Sequence, residues 1–482
     1  MAVLTGLKPQ AVFEFFEALC AIPHGSGNTK PISDYCVNFA REHGLRYIQD
    51  GSNNVIIFKD GTEGYEHSAP VMLQGHLDMV CEKTEDCPID FEKDGLMLRL
   101  EGDSIFAEGT TLGGDDGIAV AYGLALLASD DIPHPPLEAV FTTDEEIGMH
   151  GASALDCSPL KARIMLNLDS EEEGILLVSC AGGCCVSCRL PVRREPAEGV
   201  HVTLKVGSLA GGHSGVEIDK GRANANQLLG RALNELDKEL PYALIEVAGG
   251  LKDNAIPREA AARLAVEPAA VDRVRAFAEK YLEIFAAEFR AVEPTLSLTA
   301  EAGGAGEVSA MSAGTKTAVI AALVNLPGGV QRMSADIPGL VQTSLNMGVL
   351  STSEDEVTLR FALRSSVETE KEELFSRIAN LMGVLGGTAD RTGDYPAWEY
   401  RPDSRLRDLM VEVFTEQYGH APEVQAIHAG LECGLFAGKL PGLDCVSIGP
   451  DMVDIHTTGE RMSVASVQRT WEFILEVLRR LK

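Results

Sequence analysis

Five segments of this chain carry side chains that could do chemistry, and four of them place those side chains where an apolar run ends. Residues 71–80 read VMLQGHLDMV. Val71-Met72-Leu73 has the texture of a strand buried on both faces, and it runs into Gly75-His76-Leu77-Asp78. On an extended chain the side chains at i and i+2 point the same way, so His76 and Asp78 fall together. They do so at the carboxyl end of a strand, where open α/β sheets place their ligands. GTTLGGDDGIAVAYGLAL sets Asp115 and Asp116 in a glycine-flanked turn that opens a helix. VFTTDEEIGMHGA ends a buried strand in Asp144-Glu145-Glu146, IMLNLDSEEEG ends another in Asp169, and MVDIHTTGERM puts His456 in a loop after the last strand. Any one of these acidic residues alone reads as a solvated surface group. Five sites converging on one sheet edge read differently, because unpaired buried carboxylates repel one another and would neutralise unless cations hold them.

The ligand types narrow the cation. Two imidazoles with three carboxylates suit Zn²⁺, Mn²⁺ or Co²⁺ and suit Ca²⁺ or Mg²⁺ poorly. Five ligands exceed the three that one open catalytic zinc takes, and they fit two ions if one carboxylate bridges. The cysteines show no histidine partner arrangement, which argues against a thiol nucleophile. The run SCAGGCCVSC (Cys180, Cys184, Cys185, Cys188) raises a structural zinc as an alternative, but its spacing lacks the usual two-pair pattern, and a strand entering a turn explains it.

The elements that must position these groups fall into two textures. Up to about residue 186, apolar strand-like runs alternate with helical stretches, which implies a mostly parallel sheet covered by helices. From 187 to 392 the pattern becomes helix, strand pair, helix, strand pair, helix, beginning with the alternating VHVTLKVGSLAG of a half-exposed antiparallel strand. From 393 to 482 the α/β texture returns. The expected architecture is therefore an α/β catalytic domain (1–186 and 393–482) interrupted by an inserted α+β lid domain (187–392). With 482 residues, 45% hydrophobic and 23% charged, the chain can bury more than one core. Its 41 Lys plus Arg against 72 Asp plus Glu give a net charge of −31, which excludes nucleic acid and anionic membranes as partners. No run of about 18 apolar residues offers a membrane span. Eleven cysteines without framework spacing, behind an amphipathic rather than signal-like start, point to reduced thiols and a cytoplasmic location.

The order GHLDMV, GGDDG, TTDEEIGMHG, NLDSEEEG, HTTGERM resembles the M20 metallopeptidases, in the branch of the cytosolic Xaa-His dipeptidases. The resemblance extends through GGHSGVEI, NAIPREA and HAGLECG, so it spans nearly the whole chain. It implies two divalent ions per chain, zinc first with manganese or cobalt as alternatives. Asp115 would be the bridging ligand, His76 and Asp169 would complete one site, and Glu146 and His456 the other. Asp78 would hydrogen-bond the second nitrogen of His76 and fix its tautomer. Glu145 would be the general base, and a cis peptide would join Asp115 to Asp116. In the inserted domain, His213 would stabilise the oxyanion, in its own site or a partner's, and Asn254 would hydrogen-bond substrate. Arg364 alternates outward from a strand, and its fork suits a peptide's terminal carboxylate. The turn at Gly430 opens a helix whose free N–H groups could cradle the same carboxylate, and Glu432 beside it could meet a substrate ammonium. His24 and His428 read as structural. The implied activity is hydrolysis of unblocked dipeptides by a homodimer. Alternatives are an N-acyl-amino-acid deacylase or carboxypeptidase of the same family, and a metal-binding scaffold without turnover.

Overall fold

The apolar runs that end in candidate ligands form the centre of one eight-stranded sheet. Its order is Arg46–Gln49, Val55–Lys59, Leu137–Thr142, Val71–His76, Ile164–Asn167, Asp444–Ser447, Ile175–Cys180, Glu423–Ile427. The computed structural model that shows this describes residues 3–482. The four central strands pair in parallel: Val71–His76 lies between Leu137–Thr142 and Ile164–Asn167, and Ile164–Asn167 also pairs with Asp444–Ser447. The flanking pairs at Val55–Lys59 and Ile175–Cys180 are antiparallel. Parallel strands buried on both faces need apolar side chains on both faces, and Val71–His76 and Leu137–Thr142 are buried at every position. The helix Gly114–Ala128 is apolar nearly all round for the same reason. It packs under the sheet, and the Tyr122 hydroxyl donates to Val467 O at 2.8 Å.

A four-stranded sheet joins Leu98–Glu101, Ser104–Ala107, Arg461–Ser463 and Met452–Val453. Its last two strands form a hairpin, and the loop of that hairpin carries His456.

The chain divides into two compact units: residues up to Ser179 with Tyr400–Ala426 and Leu431–Lys482, and Cys180–Glu399 with Ile427–Gly430. Positions 187 and 392, where the sequence texture changes, fall inside the strands Gly182–Pro191 and Thr388–Tyr395, which pair with each other. The second unit therefore begins and ends several residues outside them. Its nine-stranded sheet runs largely antiparallel, beside helices Ala225–Glu239, Val271–Glu288, Ala313–Asn325 and Glu368–Val384. Cys184, Cys185 and Cys188 lie along one strand of it. Cys184 and Cys188 are buried together, while the Cys185 thiol meets Asp253 at 3.0 Å. All eleven cysteines are free, and no cysteine belongs to a metal-capable cluster among the described residues. Nor is any described helix long and apolar enough to cross a membrane.

Candidate metal centre and active site

Asp115 stands between two imidazoles. Its Oδ1 lies 3.1 Å from His76 Nε2 and its Oδ2 lies 3.0 Å from His456 Nε2. Glu146 Oε1 is 2.8 Å from the same His456 nitrogen, and Asp169 Oδ1 is 3.7 Å from His76 Nε2. These groups arrive from four strand or helix ends and one hairpin loop. That loop is tightly wound: His456 and Asp454 both take positive φ (60° and 52°), uncommon for side-chain-bearing residues. The Thr457 hydroxyl holds it by donating to Asp454 O at 2.7 Å and accepting from Gly459 N–H at 3.1 Å. The Asp115–Asp116 peptide is cis. Asp116 is fully buried, and its Oδ2 accepts the His76 backbone N–H at 3.1 Å. Gly75 permits this, because a Cβ there would stand 2.5 Å from that oxygen.

Asp78 departs from expectation. The His76 Nδ1–H has the Asp78 main-chain carbonyl as its near partner at 2.9 Å, while the carboxylate is 3.6 Å away. The carboxylate instead accepts from Ser26 Oγ (2.8 Å) and from the backbone N–H groups of Glu145 (3.0 Å) and Glu146 (3.3 Å). The i, i+2 step thus delivers an orienter for His76 through the backbone, and the side chain fixes the turn bearing Glu145 and Glu146. A strand's direction of side chains is legible in sequence; which of two oxygens an imidazole chooses is not.

Charge in this cluster is balanced by protons in the protein alone. Burial disfavours a charged His76, but Asp115, Asp78 and Asp169 outweigh it and push its proton affinity well above the ordinary imidazole range. Hydrogen bonds from its ring to the Asp115 and Glu146 carboxylates raise His456 to about 10. Burial lifts Asp169 far above the usual carboxylate range and Glu145 to about 7. Despite burial, the two imidazoles hold Asp115 well below that range. Three triads keep one ligand atom of each member within 4.8 Å of the others: His76, Asp116 and Asp169; His76, Glu145 and Glu146; Asp115, Glu146 and His456. Nitrogen and carboxylate donors so arranged fit divalent transition-type cations, which would displace those protons.

Glu432 sits elsewhere than expected. It is fully buried in the layer beneath the ligands, where its Oε2 accepts from Gln74 Nε2 and Thr142 Oγ1, both at 2.6 Å. Burial, with Glu145 as the largest neighbouring charge, raises it to about 8. An ammonium group cannot reach it there. Gln74 in turn accepts from Asn167 Nδ2 at 2.6 Å, so this layer laces together three strands that end in candidate ligands. The sequence names Asp116 only as part of the turn and its cis peptide, without a contact for its carboxylate, and does not single out Glu460, although both lie within the quoted motifs. Their signal was a carboxylate beside glycines that have no side chain to resist close approach.

The second unit gathers His213, Asn254 and Arg364. His213 pairs with Ala255, and Ser214 N–H donates to Asn254 O at 2.8 Å. His213 Nδ1 accepts from the N–H groups of Gly215 (3.2 Å) and Val216 (3.4 Å), which assigns the proton to Nε2. Burial and the nearby Arg364 lower its proton affinity. Arg364 Nη1 donates to the Tyr395 hydroxyl at 3.1 Å, and its buried Nε has no partner among the described residues. His428 is buried with its Nε2 2.7 Å from Ser344 Oγ, and His24 is buried with Nδ1 2.6 Å from Ile22 O. Gly430 closes the short segment whose Ala429 carbonyl accepts Ala181 N–H at 3.0 Å.

An α/β sheet that presents histidines and carboxylates at the carboxyl ends of its central parallel strands defines a hydrolase centre of the metal-dependent class. The profile of peptidase family M20/M25/M40 matches residues 72–480. The cytosol non-specific dipeptidase of Escherichia coli (strain K12) is 39% identical over 485 residues, covering 100% of this chain and 99% of that protein. The crystal structure of the aminoacylhistidine dipeptidase from Vibrio alginolyticus superposes with a TM-score of 0.93 at 37% identity, over 98% of this chain and 97% of that one. A tripeptidase from Staphylococcus aureus shares the fold alone, with a TM-score of 0.55 at 16% identity over 98% and 99% of the two chains. The chain belongs to peptidase family M20.

Proposed function

We propose that this protein is a cytosolic di-metal dipeptidase that cleaves the peptide bond of unblocked dipeptides, Xaa-His among them, and works as a homodimer. The observation that carries the reading is Asp115, whose two oxygens each face a different imidazole at about the same distance, 3.1 and 3.0 Å. One carboxylate so placed suits two centres. His76 and Asp169 would complete one, Glu146 and His456 the other. Full-length likeness to relatives named as dipeptidases supports the substrate class.

Two divalent cations held there, zinc first with manganese or cobalt as alternatives, supply Lewis acidity toward water and the scissile carbonyl. Glu145 takes a proton onto its carboxylate from the attacking water and returns it to the leaving amine. Asp78 keeps Glu145 in place through its backbone N–H, as described above. The Nε2–H of His213 is the donor for the oxyanion. Arg364 meets the substrate's carboxylate, a role favoured by its unpartnered Nε, with Asn254 and the N–H groups around Gly430 as further substrate contacts. The inserted unit, residues 180–399 with 427–430, is on this reading the recognition domain.

A panel of dipeptides differing only by N-acetylation, assayed with Zn²⁺, Mn²⁺ and Co²⁺ supplied separately, tests the proposal. Turnover confined to free amines supports it. Preference for the acetylated members would move the chain to the deacylases of the same family.

A further inference from the structure

Glu460 lies four residues beyond His456, and its carboxylate is buried against a different part of the chain. Its Oε2 accepts the backbone N–H groups of Leu112 (2.7 Å) and Gly113 (3.2 Å), and its Oε1 accepts that of Gly114 (2.9 Å). These are three consecutive donors at the start of the Gly114–Ala128 helix, whose N-cap residue, Gly113, has no side chain with which to satisfy them. The closeness is built in: a Cβ at Gly114 would lie 3.3 Å from Glu460 Oε1 and 3.0 Å from Met452 Sδ. The residue that follows Gly114 is Asp115. At the other end, Glu460 N–H donates to Thr457 O at 3.2 Å, so the same residue closes the loop that carries His456.

One carboxylate therefore ties the hairpin bearing His456 to the turn bearing Asp115, two segments 341 residues apart in the chain. We infer that Glu460 is a positioning residue that sets the spacing between His456 and Asp115 and so the affinity of the cation those two residues share. The inference rests on the di-metal reading above. A cation bound between two donors needs each at about 2.0–2.2 Å. Their separation must then be held within a few tenths of an ångström. Three charge-assisted hydrogen bonds at one carboxylate supply directional restraint of that kind. The His456 side chain is 43% exposed, so packing contributes little to holding it.

Glutamine keeps the shape of Glu460 but turns one acceptor into a donor, so it can satisfy Leu112 and Gly113 only by facing Gly114 N–H with an NH₂ group. Aspartate keeps the charge and retracts it by one methylene. Metal-free parent, Glu460→Gln and Glu460→Asp proteins are to be titrated calorimetrically with Mn²⁺, with thermal unfolding of each metal-free protein measured alongside. The parent should bind two ions. In both variants one ion should bind with parental affinity and the other roughly 10–100-fold more weakly, the usual effect of losing a group that orients a ligand. Metal-free melting should fall to some extent in both variants, because a buried backbone donor loses its acceptor, so the inequality between the two ions is the readout that counts. Parental affinity for both ions in Glu460→Gln overturns the inference. Equal weakening of both ions, with a lowered metal-free melting temperature, also overturns it, since that marks a cap on the fold alone. A parent that binds fewer than two ions refutes the di-metal reading itself.

Discussion

Glu145 and Glu146 are neighbours to which the proposed chemistry gives different work, and replacing each with glutamine separates them. Geometry leaves both within ligand range of His76. The backbone of Glu145 is pinned from both sides: its N–H donates to Asp78 Oδ1 at 3.0 Å, and its carbonyl accepts from Gly148 at 2.9 Å and Met149 at 2.8 Å. A side-chain change there leaves the turn where it is. Glu145→Gln preserves shape and removes the basic oxygen. A positioned general base is worth roughly 10²–10⁴ in rate, or about 2.7–5.4 kcal/mol. The variant should therefore keep both ions and lose that factor in kcat at saturating metal. Glu146 Oε1 faces His456 Nε2 at 2.8 Å, so Glu146→Gln should give up an anionic donor and weaken one ion by about tenfold or more. The assay is kcat on an unblocked dipeptide, paired with elemental analysis of each variant after desalting. Near-parental turnover by Glu145→Gln would refute the reasoning, as would a Glu145→Gln protein that sheds an ion while Glu146→Gln keeps both.

Active, metal-saturated protein should contain two ions per chain and lose them, with activity, on chelation; elemental analysis returning one ion would remove the bridging role of Asp115. Arg364→Ala should depress kcat/KM severely on free dipeptides and little on C-terminally amidated ones, and equal losses on both would reduce Arg364 to a structural partner of Tyr395. Glu432, raised to about 8 by burial, keeps a proton in the folded state that the unfolded chain releases near 4.5. The parent should accordingly lose stability as pH rises between those values, by about 1.4 kcal/mol per unit, while Glu432→Gln escapes this contribution. Denaturant unfolding of the two metal-free proteins should show the variant gaining on the parent from pH 5 to pH 8, and a constant difference would contradict the assignment.

The central strands were legible because a parallel strand buried on both faces is mostly apolar, as Val71-Met72-Leu73 and Leu137, Ala139, Val140 and Phe141 are; Glu138 is an exception, its carboxylate accepting the backbone N–H groups of Lys161 and Ala162. The ligand candidates were legible because charged side chains cannot follow such runs without a purpose. The inserted unit could be seen in the alternation of VHVTLKVG, which the structure places in the strand Arg194–Gly207. What escaped was short or glycine-rich. Ser297–Met311 forms a 15-residue strand, although its AGGAG centre carries little of the texture of one. The sheet that supports His456 has strands of two to four residues, too short for any periodicity. The choice of the Asp78 carbonyl over its carboxylate, and the burial of Glu432, depend on groups such as Ser26, Gln74 and Thr142 that converge only in three dimensions.

Tying His456 back to the turn at Asp115 through Glu460 has a consequence in time. His76, Asp115, Glu146 and Asp169 all emerge from the ribosome within the first 179 residues, before any of the second unit has been made. Their remaining imidazole and the carboxylate that fastens it arrive nearly 300 residues later. At ordinary synthesis rates of about 5–20 residues per second, the acidic half of the centre waits on the order of 15–60 seconds for its counterpart. During that interval the central strands can pair, but Glu432 and Glu460 are both missing, so neither the layer beneath the ligands nor the clamp beside Asp115 can form. Closing loops of this length is slow and is rewarded only at the end. On the proposed reading the centre is completed last, and a chain halted short of residue 460 carries the first four candidate ligands without the Glu460 hydrogen bonds.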